Sequence, residues 1–406
     1  MIRHAVILIL LVATAPARGA ELRVAPGADL AALAAAAAPG TTFRLAPGDY
    51  HLSPAPYVDP TCGNCEDPAT AVPATLGLRL AGRDLVLAGA GPDSTVIHTH
   101  AGYGILIEDC DGCAIESLAL TGGVRDPDGR ATDAAVVVRR SRAAIRGCRI
   151  ADNIGDPAII DSVVVGIIGV AGREGARLTV AGCEIRRNSW DGVALYRGAE
   201  AEIEGNVIDG VDRARGKTAG GGRGVGIGMT WDARATVRGN LVCNYWKGIG
   251  VFVDARATVE ENVVEEILTW GMSLWDAGRG LPAAVMDGNA VYRTGACGVS
   301  VVRDSAAAEP APGRLTGNAI VESGQDPRYD TGEPYCFQTA IARHAVPPDF
   351  AIERNLLYGN REAGGEPGRA DLDEAAFRSA VGPLVERLGR WPGLRRSSFL
   401  ARFGPR

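Results

Sequence analysis

The stretch that decides the fold contains three similar blocks of sequence. It reads GVALYRGAEAEIEGN at Gly192–Asn206, GIGMTWDARATVRGN at Gly226–Asn240 and GIGVFVDARATVEEN at Gly248–Asn262. Each block opens with glycine and closes with asparagine 14 residues later, and the last two blocks begin 22 residues apart. Self-similarity at a fixed period indicates a chain built from stacked copies of one structural unit.

Within a block, buried and outward positions alternate. Ile249, Val251 and Val253 alternate with Gly250 and Phe252, which predicts strands with one buried face and one outer face. A unit near 22 residues with this period contains short strands and no helix. Stacking such units at about 4.8 Å predicts an all-β fold, a right-handed parallel β-helix. The 14-residue offset recurs, with insertions, between residues 104 and 355, and this recurrence predicts about ten coils.

The ends of the chain differ from the repeats. Residues 1–20 contain Arg3, a short apolar run and then small residues, which predict a secretory signal peptide. Residues 21–75 are expected to form an N-terminal cap, with a short helix beginning after Asp29, and a Cys/Pro-rich insertion.

Residues 76–360 are assigned to the β-helix and residues 361–406 to a C-terminal helical cap over the last coil. The apolar spacing in Asp371–Leu388 is helical, and Gly382-Pro383 is expected to break it into one or two helices. A partner-binding amphipathic tail is the alternative.

Charge and hydropathy exclude two kinds of partner. The formal net charge is -6 and the sequence pI is about 5.5, which indicates no basic face, so nucleic acid is not expected as a partner. No stretch has the roughly 18–20 apolar residues of a membrane helix, so no membrane span is expected. We therefore expect a secreted or periplasmic protein that is a monomer.

Four further motifs repeat the pattern Gly-Asn-x-Val/Ile or a close variant of it. They begin at Gly205, Gly239, Gly288 and Gly317. Through them the chain, from about residue 24 to residue 360, resembles the pectin-lyase-like right-handed parallel β-helix proteins. That group includes lyases, hydrolases, esterases, epimerases and non-catalytic proteins, so the resemblance implies the fold and leaves the activity open.

The asparagines that close the blocks share one slot in the coil. We expect their side chains to stack and to hydrogen-bond the turn backbone, a structural role. They are Asn206, Asn240, Asn262, Asn289, Asn318 and Asn355. Cys148 and Cys183 occupy the same slot in earlier coils, where buried thiols are favoured over a disulfide.

The nine cysteines include two C-x-x-C pairs. Cys62 with Cys65, and Cys110 with Cys113, are the disulfide candidates, because export favours oxidised pairs. Free thiols and a zinc site stay open, although the spacing between the pairs exceeds that of a zinc ribbon.

Aromatic residues concentrate in the same coils as the clearest repeats. Such a strip offers flat apolar faces with polar edges to sugar rings, and packing beneath inserted loops is the alternative. The candidate substrate-binding residues are Trp190, Trp231, Trp246, Phe252, Trp270 and Trp275, with the acidic residues Asp191 and Asp276.

Asp232 and Asp254 occupy identical slots in consecutive coils. Two carboxylates one coil apart either raise the pKa of one of them or share a cation such as Ca²⁺. The alternative is that each aspartate hydrogen-bonds a turn.

Candidate chemistry follows from these outward residues. Cleavage of a uronate polymer by β-elimination needs a cation, a base and an acid; Lys247 or Tyr196 could be the base, and Arg197 or Arg223 the carboxylate partner. Epimerisation needs the same groups. We expect a polysaccharide lyase or epimerase. The alternatives are a non-catalytic glycan-binding or cell-envelope protein and a glycoside hydrolase that uses an aspartate pair.

Overall fold

A computed structural model describes most of the chain between residues 19 and 405. The described residues are 19–127, 130, 132–156, 165–211, 223–304, 313–329, 337–345, 350–364 and 371–405. Residues 1–18 of the predicted signal peptide lie outside them, and so does most of the loop between residues 209 and 223.

The N-terminal region and the first coils contain one helix, α1 (Leu30–Ala35), and nine strands. The strands are β1 (Glu21–Val24), β2 (Thr42–Leu45), β3 (Gly48–His51), β4 (Ala55–Asp59), β5 (Val72–Arg83), β6 (Val86–Ala88), β7 (Thr95–His98), β8 (Tyr103–Glu116) and β9 (Ala119–Thr121).

The regular coils follow, three strands to a coil. Their strands are β10 (Ala134–Arg139), β11 (Arg142–Arg146), β12 (Arg149–Ala151), β13 (Ile168–Arg173), β14 (Arg177–Ala181), β15 (Glu184–Arg186), β16 (Val193–Leu195), β17 (Glu200–Glu204), β18 (Val207–Asp209), β19 (Val225–Met229), β20 (Arg234–Arg238), β21 (Leu241–Cys243), β22 (Lys247–Phe252), β23 (Arg256–Glu260), β24 (Val263–Ile267), β25 (Met272–Trp275), β26 (Ala283–Asp287), β27 (Ala290–Thr294), β28 (Val299–Val302), β29 (Gly313–Thr316), β30 (Ala319–Val321), β31 (Ile341–His344), β32 (Ala351–Glu353) and β33 (Leu356–Tyr358). The C-terminal helices are α2 (Glu374–Leu388) and α3 (Ser398–Phe403).

Each coil contributes one strand to each of three faces. Face 1 is the outer surface of the first strand of each coil, namely β10, β13, β16, β19, β22, β25, β28 and β31. Face 2 is the outer surface of the second strand of each coil, and face 3 is the outer surface of the third strand. Faces 1 and 2 belong to a 22-stranded sheet and face 3 to an 11-stranded sheet. Every pairing between regular coils is parallel, and the predicted parallel β-helix is confirmed.

Parallel pairing begins earlier than the boundary predicted at residue 76. β1 pairs with β2, β2 with β6, and β3 with β7, each in parallel. The solenoid therefore starts with β1, and α1 covers its end by burying Leu30 and Ala34. Asp29 caps that helix by accepting from the Ala32 N–H, as predicted.

The closing asparagines form a continuous hydrogen-bonded column. The side-chain amide of Asn206 donates to Oδ1 of Asn240 at 2.8 Å, and that oxygen also accepts from the Asn206 backbone N–H at 3.0 Å. All members of the column are 0% exposed. The preceding Gly205 and Gly239 have φ of 66° and 65°, a conformation in which glycine pays no steric penalty. The same amide-to-amide bond continues through Asn262, Asn289, Asn318 and Asn355.

The cysteines fall into two groups. Cys62 is disulfide-bonded to Cys65, and Cys110 to Cys113. Cys148 and Cys183 are buried free thiols. They stack in the slot that asparagine takes in later coils, and a hydrogen bond between the two thiols raises the pKa of Cys148.

The insertion after the first coil covers part of face 1. β4 pairs antiparallel with the start of β5, and the disulfide loop follows β4. The inner surface of this hairpin packs on outward residues of β8, β10, β13 and β16, among them Leu106, Val137 and Ala171. The first half of face 1 is therefore occupied by the chain itself.

The C-terminal helices were expected over the last coil, and they lie along face 3 instead. Phe377, Val381 and Leu388 pack on outward apolar residues of β21, β24, β27 and β30. Helix α2 also continues through Pro383, where a break was predicted. One lost backbone hydrogen bond does not break the helix because its apolar face is packed on the sheet along its whole length.

Candidate functional site

The second half of face 1 has a floor of very small residues. Gly228, Gly250, Ser273 and Ser300 are paired in register on β19, β22, β25 and β28. Adjacent members lie one strand spacing apart, about 4.8 Å. A Cβ at Gly250 would come within 2.1 Å of the Phe252 ring. The missing side chains make room for neighbouring aromatic rings, and the floor itself is buried beneath them.

Lys247 lies over this floor inside a cage of four aromatic rings. Its Nζ is 4.1 Å from the ring centroid of Trp270, 4.3 Å from Trp246, 5.0 Å from Trp275 and 5.5 Å from Phe252. Lys247 is 6% exposed, whereas Trp246, Phe252 and Trp275 are half-buried. The cage stabilises the charged ammonium through the ring quadrupoles. The sequence predicted these residues as separate candidates, and the structure brings them together.

Several polar groups near the cage are buried without a hydrogen-bond partner. The hydroxyls of Ser273 and Ser300 and the indole N–H groups of Trp231 and Trp246 belong to this set within the described residues. Buried polar groups such as these are satisfied in proteins by ordered water or by a ligand.

One end of the floor is lined by charged side chains. Asp276 is 0% exposed and accepts backbone N–H groups from Gly278 and Asp304. Arg303, 4% exposed, lies 3.8 Å from the Asp276 carboxylate, and Trp275 donates its indole N–H to Asp304 at 2.8 Å. Asp276, predicted to bind substrate, thus anchors a turn and faces an arginine.

At the other end, Asp191 and Tyr196 form a buried pair. The Tyr196 hydroxyl donates to Asp191 at 3.4 Å, and the Val225 N–H donates to the same carboxylate at 2.6 Å. Burial raises the pKa of Asp191 to about 7, although both donors oppose the shift. Burial also raises the pKa of Tyr196 well above its ordinary value. The phenol therefore keeps its proton at neutral pH, and the carboxyl is poised to exchange a proton.

The two arginines predicted to hold a uronate already have backbone partners. Arg197 donates to the carbonyls of Cys65 and Glu66 and stacks 4.0 Å above Trp231. Arg223 is buried, donates to the Ser189 carbonyl and lies 5.7 Å from the Trp190 ring. The Arg197 contacts tie Trp231 to the covering chain, and Trp190 packs against the same cluster.

Asp232 and Asp254 bind the turn backbone from coil to coil. Asp232 accepts from the Gly198 N–H at 2.7 Å, and Asp254 accepts from the Asp232 N–H at 2.6 Å. Calcium needs six to eight oxygen ligands. The described residues contain no group of three or more acidic, His or Cys side chains that could hold a metal ion. The hydrogen bonds of the pair match the turn alternative, and the calcium site stays a prediction.

Sequence reasoning missed the small-residue floor and Arg303. A signal was present, because Gly228, Gly250, Ser273 and Ser300 each stand two residues after the glycine that opens a block. Outward slots with glycine or serine predict room for neighbouring aromatic rings, whereas outward aliphatic residues predict contact with a covering chain.

Comparison with known families agrees with this architecture. The family described as "Right handed beta helix region" matches residues 93–214 and 169–320, more than half of the chain. The chain belongs to this β-helix family. No curated protein matches it, and within the described residues no helix is long and apolar enough to cross a membrane.

Three solved structures illustrate what this β-helix protein resembles. An alginate lyase from Paenibacillus sp. str. FPU-7 has a TM-score of 0.52 at 15% identity and covers 73% of this chain and 94% of its own. The mannuronan C-5 epimerase AlgE6 A-module of Azotobacter vinelandii has a TM-score of 0.44 at 16% identity, covering 84% and 91%. The periplasmic alginate epimerase AlgG has a TM-score of 0.44 at 13% identity, covering 69% and 76%. At these identities the likeness concerns the fold.

Proposed function

We propose that this β-helix protein is exported, binds an acidic polysaccharide on the second half of face 1, and acts on it as a lyase or epimerase. The observation that carries the proposal is the Lys247 ammonium held among four rings above a floor of glycine and serine. Half-buried aromatic rings suit sugar faces, and the ammonium suits a uronate carboxylate.

In this proposal Lys247 is the cation, and its position among four rings supports that role. Ring quadrupoles favour the ammonium over the neutral amine, so Lys247 neutralises the uronate carboxylate and thereby acidifies the adjacent C–H. A base role for Lys247, the first expectation from the sequence, would have to work against the cage.

Asp191 and Tyr196 then supply the proton transfers. The Asp191 carboxylate takes the proton α to the uronate carboxylate, the C–O bond at the β carbon breaks as the C=C bond forms, and the Tyr196 phenol gives its proton to the leaving oxygen. In an epimerase no C–O bond breaks, and a proton returns to the opposite face of the same carbon. Asp191 lies two residues before Val193, and Lys247 lies two residues before Ile249, which occupies the same slot two coils later. The two residues are therefore roughly 10 Å apart along the solenoid.

A non-catalytic glycan-binding module is the second candidate. The observation that favours it is the burial of all three groups, since Lys247, Asp191 and Tyr196 are 6%, 6% and 5% exposed. A hydrolase receives less support, because Asp232 and Asp254 are engaged by backbone N–H groups.

Incubation with a panel of uronic-acid polymers separates the candidates. A lyase produces ultraviolet absorbance from unsaturated ends, and an epimerase changes the NMR signals of the sugars. We expect Lys247→Ala to lower kcat/KM by at least about a hundredfold and Lys247→Arg to restore part of it. Arg395→Ala, which removes an exposed cation elsewhere, serves as the control.

If neither signal appears while polymer binding persists and depends on Lys247, the binding module is the correct function. If Lys247→Ala changes neither activity nor binding, face 1 is not the site.

A further inference from the structure

Face 2 carries a long open groove that the proposed chemistry does not use. It crosses β11, β14, β17, β20, β23, β26 and β29 and has a volume of about 830 Å³. Seven strands at about 4.8 Å give it a length of roughly 30 Å along the solenoid. In-register alanines line it, including Ala201, Ala235 and Ala257.

The outward residues along the groove form two polar rows. One row reads Arg142, Arg177, Glu200, Arg234, Arg256 in register. The other row, two residues further along each strand, contains Thr179, Glu202, Thr236 and Thr258. Four arginines against two glutamates make the groove locally cationic on a chain whose net charge is -6.

Two of these arginines form no close ion pair among the described residues, although Glu200 lies opposite Arg234 and the Arg256 charge acts on the Asp254 carboxyl. Arg142 pairs with Asp111 at 2.9 Å and Arg177 with Glu200 at 3.4 Å. Arg234 and Arg256 are exposed and directly opposite each other on β20 and β23, and neither forms an ion pair within the described part of the chain. Like charges directly opposite on neighbouring strands repel, and an anion between them would remove that repulsion.

We propose that this groove is a second binding site for the acidic polysaccharide, outside the Lys247 site, and this inference rests on the proposed function. Arg234 and Arg256 bind carboxylates of the polymer, and Thr236 and Thr258 bind sugar hydroxyls. The groove's length suits a chain of several sugars rather than a small anion. Nucleic acid fits less well, because Glu200 interrupts the arginine row, Glu202 lies beside it, and the density of phosphate requires clustered cations.

The two sites lie on neighbouring faces of the same coils. Gly228 and Arg234 are six residues apart along one coil, and Gly250 and Arg256 along the next. A polymer held in the groove keeps its other segments at high effective concentration near Lys247. The groove would therefore raise affinity for long chains and leave short oligosaccharides unaffected.

The test compares Arg234→Gln/Arg256→Gln with Arg23→Gln/Arg395→Gln, which removes the same charge from exposed positions outside the groove. Binding of polyuronate, of a uronate trimer, of neutral dextran and of single-stranded DNA is measured at two salt concentrations. We expect the groove variant to weaken polyuronate binding about tenfold and to lower its salt dependence. Trimer binding should be unchanged, and dextran should bind neither the protein nor its variants.

Equal losses in both double variants, unchanged polyuronate binding in the groove variant, or DNA binding as tight as polyuronate binding would each overturn the inference. The Lys247→Ala variant keeps the two proposals apart. Loss of trimer binding there, with no effect of the groove variant, leaves the face 1 function standing alone. Loss of polyuronate binding only in the groove variant moves the binding function from face 1 to face 2.

Discussion

The two halves of face 1 have the same backbone and opposite surfaces. One outward column runs through Leu106, Val137, Ala171 and Ala194 in the first half and continues in register as Gly228, Gly250, Ser273 and Ser300. The first half is apolar and covered by the β4–β5 hairpin. In the second half, half-buried aromatic rings and Lys247 surround the floor.

The difference shows how one solenoid face can hold both structure and function. Aliphatic side chains in the column bind the covering chain, whose own polar groups are satisfied. Glycine and serine there make room for aromatic rings and leave hydroxyls without a protein partner, and this is where we propose that the polysaccharide binds.

Removing a buried ion pair from the covered half of face 1 should have the largest effect on stability. Asp59 is 0% exposed and pairs with Arg139 and Arg173. Burial opposes its ionisation, yet the Arg173 and Arg139 charges and the Thr61 N–H hold the pKa of Asp59 below its ordinary value. Removing one partner of a buried ion pair costs about 3–5 kcal/mol. We expect Arg173→Ala to lower the free energy of unfolding by that amount in denaturant titrations.

Arg177→Ala is the matched control, because Arg177 is exposed and pairs with an exposed Glu200. Its cost should stay below about 1 kcal/mol. Equal costs for Arg173→Ala and Arg177→Ala would show that the hairpin is not held by the buried network.

Asp191 lies at the border between the two halves of face 1, and it should make stability depend on pH. Asp191 has a pKa of about 7 in the folded protein against an ordinary value of 3.8. The contribution of Asp191 to the free energy of unfolding is therefore fully present at pH values below its unfolded-state pKa of 3.8. This contribution is lost as the pH rises through about 7. We expect Asp191→Asn to be more stable than the wild type at pH 8 by about 2–4 kcal/mol and no more stable at pH 4. Thermal melts across this pH range measure the difference, and a pH-independent gap would contradict the assigned shift.

A substitution in the second half of face 1 should have the smallest effect on stability. Ser273 has a buried hydroxyl without a partner, so Ser273→Ala should leave stability unchanged or raise it by up to about 1 kcal/mol. Ligand binding should nevertheless weaken. Ser141→Ala is the control, because the Ser141 hydroxyl accepts from the Cys110 N–H and donates to the Arg139 carbonyl. If Ser273→Ala destabilises as much as Ser141→Ala, the Ser273 hydroxyl has a partner in the free protein.

The repeats predicted many residues of the candidate site, but they did not predict how those residues are arranged. Periodicity assigned Lys247, Trp246 and Phe252 to neighbouring outward slots. It could not indicate that the four rings converge on one ammonium, because that depends on rotamers set by packing. Asp232 and Asp254 were correctly placed in one slot, and only their backbone hydrogen bonds distinguished a turn from a cation site.

The amino-acid sequence by itself determined the coil. Alternation along each strand and the Gly-Asn turn are local, and each repeat imposes the same conformation on its neighbour through strand pairing and the asparagine column. Tertiary structure alone decided what covers each face. The hairpin on face 1 meets Arg173 from 114 residues away, and α2 meets face 3 across similar distances. Such contacts join segments without shared periodicity, so no pattern within either segment predicts them.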